Sequence, residues 1–65
     1  MTPREEEVVQ FLAKGHQTKE IAAALDISEA TAQAHLKRIF LKLGVHDRTE
    51  AVIAAMRLGI VHLEE

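Results

Sequence analysis

Six basic residues, Lys14, Lys19, Lys37, Arg38, Lys42 and Arg48, stand against four acidic ones between Lys14 and Arg48, so this stretch carries +2 in a chain whose formal net charge is -2. Lysine and arginine release counterions when they neutralise phosphates, and this is the main source of affinity for nucleic acid. Lys37, Arg38 and Lys42 share one segment with Thr31, Gln33 and Ala34. A glutamine amide can donate to and accept from a base edge, and an alanine lets a backbone come close to one. The chemistry these residues offer is entry into a groove and contact with a polyanion. The two aromatic residues, Phe11 and Phe40, both fall at apolar-periodic positions, leaving no stacking platform for single strands or RNA. Double-stranded DNA is the expected partner.

Other chemistries lack their residues. His16, His35, His46 and His62 show no metal-ligand spacing and have no cysteine to join them. Ser28 has no histidine at a motif-like distance and is accounted for as a helix cap. No glycine-rich phosphate loop and no recognisable acid and base pair occurs. The sequence therefore implies no catalytic residue, no metal, no cofactor and no small-molecule substrate. Its longest uninterrupted apolar stretch, Ala51 to Met56, is too short to span a bilayer, and the acidic run after Arg4 is unlike a signal peptide. Absence of cysteine fits a reducing interior. A cytoplasmic protein with no membrane partner is expected.

A chain of 65 residues fits one domain, 1–65, and at this size folding buries only about 60% of the unfolded chain's surface. Caps and periodicity predict an all-α fold with helices at about 3–14, 18–25, 29–43 and 48–58. Thr2-Pro3-Arg4-Glu5 opens the first, with acid at its positive end, and Gly15 closes it. Val8, Phe11 and Leu12 form its inward stripe, while Gln10 and Lys14 face solvent. The second carries Ile21, Ala22 and Leu25 on one face. Asp26-Ile27 forms a short turn to Ser28, which caps the third; two helices across so short a turn have helix-turn-helix spacing. The third carries Ala32, Leu36, Ile39, Phe40 and Leu43 inward and ends at Gly44. At about 100° per residue, Ala30, Ala34, Lys37 and Arg38 lie away from that stripe, with Gln33 on its border and Lys42 on the far flank. Asp47-Arg48-Thr49-Glu50 reads as a capping box opening the fourth helix. That helix is apolar on two sides: Ala51, Val52 and Ala55 on one, Thr49, Ile53 and Met56 on another. Either the second set completes the domain's own core or it meets another molecule. Residues His62 to Glu65 are expected to fray.

In order and at matching spacing, Thr2-Pro3-Arg4-Glu5, Gly15, Lys19-Glu20-Ile21-Ala22, Leu25, Ile27-Ser28, Thr31, His35, Ile39, Lys42-Leu43-Gly44-Val45 and Arg48-Thr49-Glu50-Ala51 resemble the LuxR-type helix-turn-helix domain. The resemblance runs essentially end to end. It is to the effector half of NarL/FixJ-group response regulators, which act in two-component systems, or of quorum-sensing regulators. It implies a bacterial transcription regulator whose third helix enters the major groove, whose second helix supports it across the backbone, and whose fourth makes a two-fold homodimer. Carried over by position, Gln33, Ala34 and Lys37 would face bases. Lys19, Thr31, Arg38, Lys42 and Arg48 would reach phosphates, although Arg48 has a second reading as a brace for the fourth helix. Thr49, Ile53 and Met56 would form the dimer interface, and His35 reads as a packing residue. In the family a receiver or ligand-binding domain normally precedes this module; the sequence is compatible with part of a longer regulator or a stand-alone one.

The chain also departs from the family pattern. Gln33 stands where many members have lysine, Ala32 where many have valine, Gln17 where a small capping residue is usual, and Leu41 where the family is often polar. With the net charge of -2, the lysine missing at Gln33 keeps alive a different class of function: a helix-turn-helix-derived protein-interaction or oligomerisation module with little DNA affinity.

Overall fold

A computed structural model describes residues 1–61; the expectation for His62 to Glu65 lies outside the described residues. Among the described residues there are four helices and no strand: α1 (Pro3–Ala13), α2 (Thr18–Leu25), α3 (Glu29–Leu43) and α4 (Arg48–Arg57). The all-α expectation holds. α1 and α4 each end one residue earlier than expected, because Lys14 and Leu58 serve as caps.

Each helix begins where a side chain satisfies backbone N–H groups that lack a partner one turn back. At α1, Glu5 N–H donates to Thr2 Oγ1 at 3.2 Å while Thr2 N–H donates to Glu5 Oε1 at 3.0 Å. Gln17 makes no capping bond with its side chain, but its N–H donates to Glu20 Oε1 at 2.8 Å. Ser28 Oγ accepts from Thr31 N–H at 3.0 Å and donates to Thr31 Oγ1 at 2.9 Å. Asp47 Oδ1 accepts from Glu50 N–H at 2.8 Å, but Glu50 Oε1 accepts from His46 N–H rather than from Asp47. The expected box is thus displaced by one residue, tying the loop before α4 as well as its first turn.

All four helices end alike. At the cap or just after it the chain turns left-handed, at Gly15, Asp26, Gly44 and Gly59, and the next N–H reaches back to a carbonyl in the last turn. In the turn between α2 and α3 the left-handed place belongs to Asp26, at φ 57°, and Ile27 N–H donates to Ala22 C=O at 3.0 Å. This is a Schellman ending with aspartate in glycine's usual position. It redirects the chain within three residues and lets Ser28 start α3.

Val8 and Val9 of α1, Ile21 of α2 and Ile39 of α3 are wholly buried, joined by Leu12, Leu36, Ala55 and Val61 in one cluster. α3 packs on each of the other three helices, which makes it the central element. Val9 and Val61 extend the core beyond the expected stripes.

Candidate nucleic-acid interface

α3 is fixed on one side by its buried Ala32, Leu36 and Ile39, and this determines what its opposite side presents. Ala30, Thr31, Gln33, Ala34, Lys37, Arg38 and Leu41 are all exposed. Near the start the exposed groups are small, so the backbone can approach a partner closely; one turn further on they are basic. Among the described residues, neither Lys37 nor Arg38 forms an ion pair or a side-chain hydrogen bond, so both charges point outward unspent. Lys19 lies exposed in the first turn of α2, the helix that packs most extensively on α3. Thr31 holds the start of α3 through Ser28, and its hydroxyl remains at the surface. His35 is half-buried on the helix flank.

Lys42 and Arg48, also expected at phosphates, are engaged inside the chain. Lys42 Nζ donates to Glu5 Oε1 at 2.7 Å; the Glu5 side chain is 4% exposed, whereas that of Lys42 remains 47% exposed. The bond from Lys42, with a second from the Thr2 backbone N–H, holds the Glu5 carboxyl down at about 2. Arg48 Nη1 donates to the His16 carbonyl at 2.9 Å and Nη2 to Thr18 Oγ1, clasping the loop between α1 and α2 to the start of α4. His16 itself stands edge-on to Phe11, ring centroids 5.5 Å apart, with Nδ1 3.4 Å from Glu20 Oε1. The Glu20 carboxyl lies below its ordinary range, chiefly because it accepts the Gln17 N–H and secondarily through His16.

The two bonded cations therefore tie α3 to α1 and α4 to the start of α2. Glu5 and Thr18 were not singled out as their partners by sequence reasoning. In the sequence Glu5 reads as a helix-end acid, and no local signal marks it as the partner of a lysine 37 positions away.

On α4, Ala51 and Ala55 are wholly buried, and half-buried Val52 packs on the core. Thr49 and Ile53 are exposed and Met56 is half-buried; neither Ile53 nor Met56 belongs to the core cluster. Ile53 and Leu58 line an open groove of about 500 Å³ together with Leu43, Val45 and Ala54.

Two helices joined by a three-residue turn, the second displaying a small-then-basic outer face and held by two flanking helices, define a helix-turn-helix DNA-binding domain. Residues 1–55 match the family described as bacterial regulatory proteins, luxR family. The spore germination protein GerE of Bacillus subtilis is 43% identical over 63 residues, covering 97% of this chain and 85% of GerE. A solved structure of the transcription factor GerE superposes with a TM-score of 0.91 at 39% identity, covering 98% of this chain and 96% of that one. The transcriptional regulatory protein YxjL of Bacillus subtilis is 47% identical over 60 residues, 92% of this chain, yet the chain spans only 28% of YxjL's length. The chain belongs to the LuxR family of bacterial regulatory proteins, a family of DNA-binding transcription regulators.

Proposed function

We propose that this chain, as a single module over 1–65, binds double-stranded DNA in a sequence-specific manner in the cytoplasm, with α3 in the major groove, and so regulates transcription. The observation that carries this reading is the outward face of α3, where Ala30 and Ala34 clear the way and Lys37 and Arg38 present charge that has no ion-pair partner among the described residues. Gln33, Ala34 and Lys37 face base edges; Lys19, Thr31 and Arg38 reach phosphates at either side. Lys42 and Arg48 hold the frame and, having N–H groups left after their internal bonds, add charge at its edge. Two copies pair through Thr49, Ile53 and Met56 of α4, which explains a helix apolar on two sides in so small a domain.

Gln33 bears on which bases are read. Its amide matches the N6 and N7 edge of adenine, whereas the lysine common at this place favours guanine. Selecting tight binders from a random duplex pool with wild type and with Gln33→Lys tests this directly. The variant should bind more strongly overall and shift preference at one base pair by about 1–3 kcal/mol; an unchanged motif removes Gln33 from the reading set. The larger claim is tested by titrating a random duplex at low salt. Saturable binding that weakens steeply as salt rises supports a DNA-binding module, and absence of binding supports a protein-interaction module.

A further inference from the structure

Leu41 is 83% exposed, more than any other large apolar side chain in the described residues. A lone exposed leucine is ordinary on a protein surface, so its exposure alone says little. Its place says more. Ala30, Ala34, Lys37 and Leu41 recur at the helical spacing that puts side chains in one row, and this row runs along the middle of the face opposite Ala32, Leu36 and Ile39. Leu41 thus continues the surface proposed to face DNA. We propose that Leu41 is a specificity-determining residue, an apolar contact on the outward row of α3 that seats against the 5-methyl group of a thymine. The inference rests on the major-groove placement of α3 given above.

The chemistry selects this occupant. A leucine side chain offers no hydrogen bond, and the apolar feature that the major groove presents is the thymine methyl. At about 1.5 Å per residue Leu41 lies roughly 10 Å along the helix from Ala34, a distance comparable with three base-pair steps. The alternative, an apolar patch for a protein partner, needs neighbours of its own kind. Within one turn of it on the exposed side of α3 Leu41 has Lys37 and Arg38, whereas the other exposed large apolar residues among those described, Met1, Ile53 and Leu58, precede α1 or sit on and just after α4. An isolated apolar group among cations suits a polyanion carrying a methyl better than a hydrophobic interface.

The test uses thymine-to-deoxyuridine replacement, which deletes the methyl and keeps every base-pairing group. The preferred duplex is first selected with the wild-type chain, and each thymine in it is then replaced in turn. At one thymine per half-site, replacement should weaken wild-type binding about fourfold, the equivalent of burying one methylene-sized group. Leu41→Ala should bind the thymine and deoxyuridine duplexes equally, with an unchanged helical circular dichroism spectrum. The proposal is overturned if the selected site holds no thymine, or if no replacement separates wild type from Leu41→Ala. In that case, if Lys37→Ala and Arg38→Ala still weaken binding, the groove placement stands and Leu41 belongs to a protein-facing surface. If those two variants bind as wild type does, the placement of α3 fails along with the inference.

Discussion

Lys42 near the end of α3 donates from Nζ to Oε1 of Glu5 in the first turn of α1, across 37 positions of sequence, and the same Glu5 oxygen accepts the Thr2 N–H that opens the helix. One buried carboxylate thus caps α1 and fastens it to the end of α3. The exposed row of Ala30, Ala34, Lys37 and Leu41 lies about a third of a turn around α3 from Lys42, so this bond fixes the helix's orientation from its flank.

Stability should therefore depend on acid in a particular window. The Glu5 carboxyl is held at about 2 in the folded chain, below its ordinary value of 4.5, first by the Lys42 bond and then by the Thr2 N–H. A depressed pKa contributes stability that is complete above the unfolded value and is lost as pH falls through the folded one. Wild type should lose stability between about pH 4.5 and 2, and Glu5→Gln should be less stable at neutral pH with a flatter profile across that interval. Thermal unfolding of both proteins from pH 6 to 2 provides the comparison; parallel profiles would remove Glu5 from the account of acid sensitivity.

Lys37→Ala and Arg38→Ala are expected to weaken DNA binding without loss of helix, because both side chains are exposed and unpaired among the described residues. For each phosphate left without its cation, the slope of log affinity against log salt should fall by about 0.9. Lys42→Ala, by contrast, should lower thermal stability, since it strips Glu5 of its cation. Fluorescence anisotropy on a labelled duplex at several salt concentrations reads the first effect and a melting curve the second. If affinity and slope are unchanged for both α3 variants, the groove assignment is wrong.

Charge on the outer side of α4 should separate a dimer surface from a core surface. Ile53 is 41% exposed and stands outside the core cluster, so Ile53→Glu is expected to leave the chain helical and abolish self-association. Met56→Glu should do the same, with a greater cost to stability because Met56 is half-buried. An unpaired carboxylate in an apolar interface is strongly disfavoured, by roughly several kcal/mol, whereas water solvates it readily on a free monomer. Sedimentation at high protein concentration with circular dichroism alongside distinguishes the cases. A wild-type chain that stays monomeric under these conditions would sink the interface.

The helix-turn-helix corner itself should be open to improvement. Asp26 is exposed and left-handed at φ 57°, a conformation that costs an L side chain free energy and glycine very little. Asp26→Gly should raise stability by about 0.5–1 kcal/mol after allowance for glycine's greater freedom when unfolded, an increase of several degrees in Tm. Asp26→Val should destabilise by at least about 1 kcal/mol, as a β-branched residue tolerates this region poorly. A Gly variant less stable than wild type would show that the aspartate side chain stabilises the turn by more than the strain it carries.

Where helices start and stop was readable from sequence because those signals act over three to five residues. Thr2, Ser28 and Asp47 accept an N–H from the first turn ahead of them, and Gly15 and Gly44 permit the left-handed turn behind. Apolar spacing likewise assigned Ala32, Leu36 and Ile39 to the inner side of α3, and with them the outward places of Ala34, Lys37 and Arg38. Which cations are spent internally was a different matter. Lys37 and Lys42 are chemically the same side chain on one helix, yet the fold brings Glu5 to Lys42, and carries the His16 carbonyl and Thr18 to Arg48 from 32 and 30 positions away. The burial of Val9 and Val61 is of the same kind, since Val9 lies off the stripe expected of α1 and Val61 lies beyond the last helix, yet both join a core cluster drawn from all four helices. Local order is dictated by hydrogen bonds and torsional preferences within a few residues. The pairing of charges and the outer reach of the core depend on which surfaces meet, and that was settled only when α1 and α4 closed on α3.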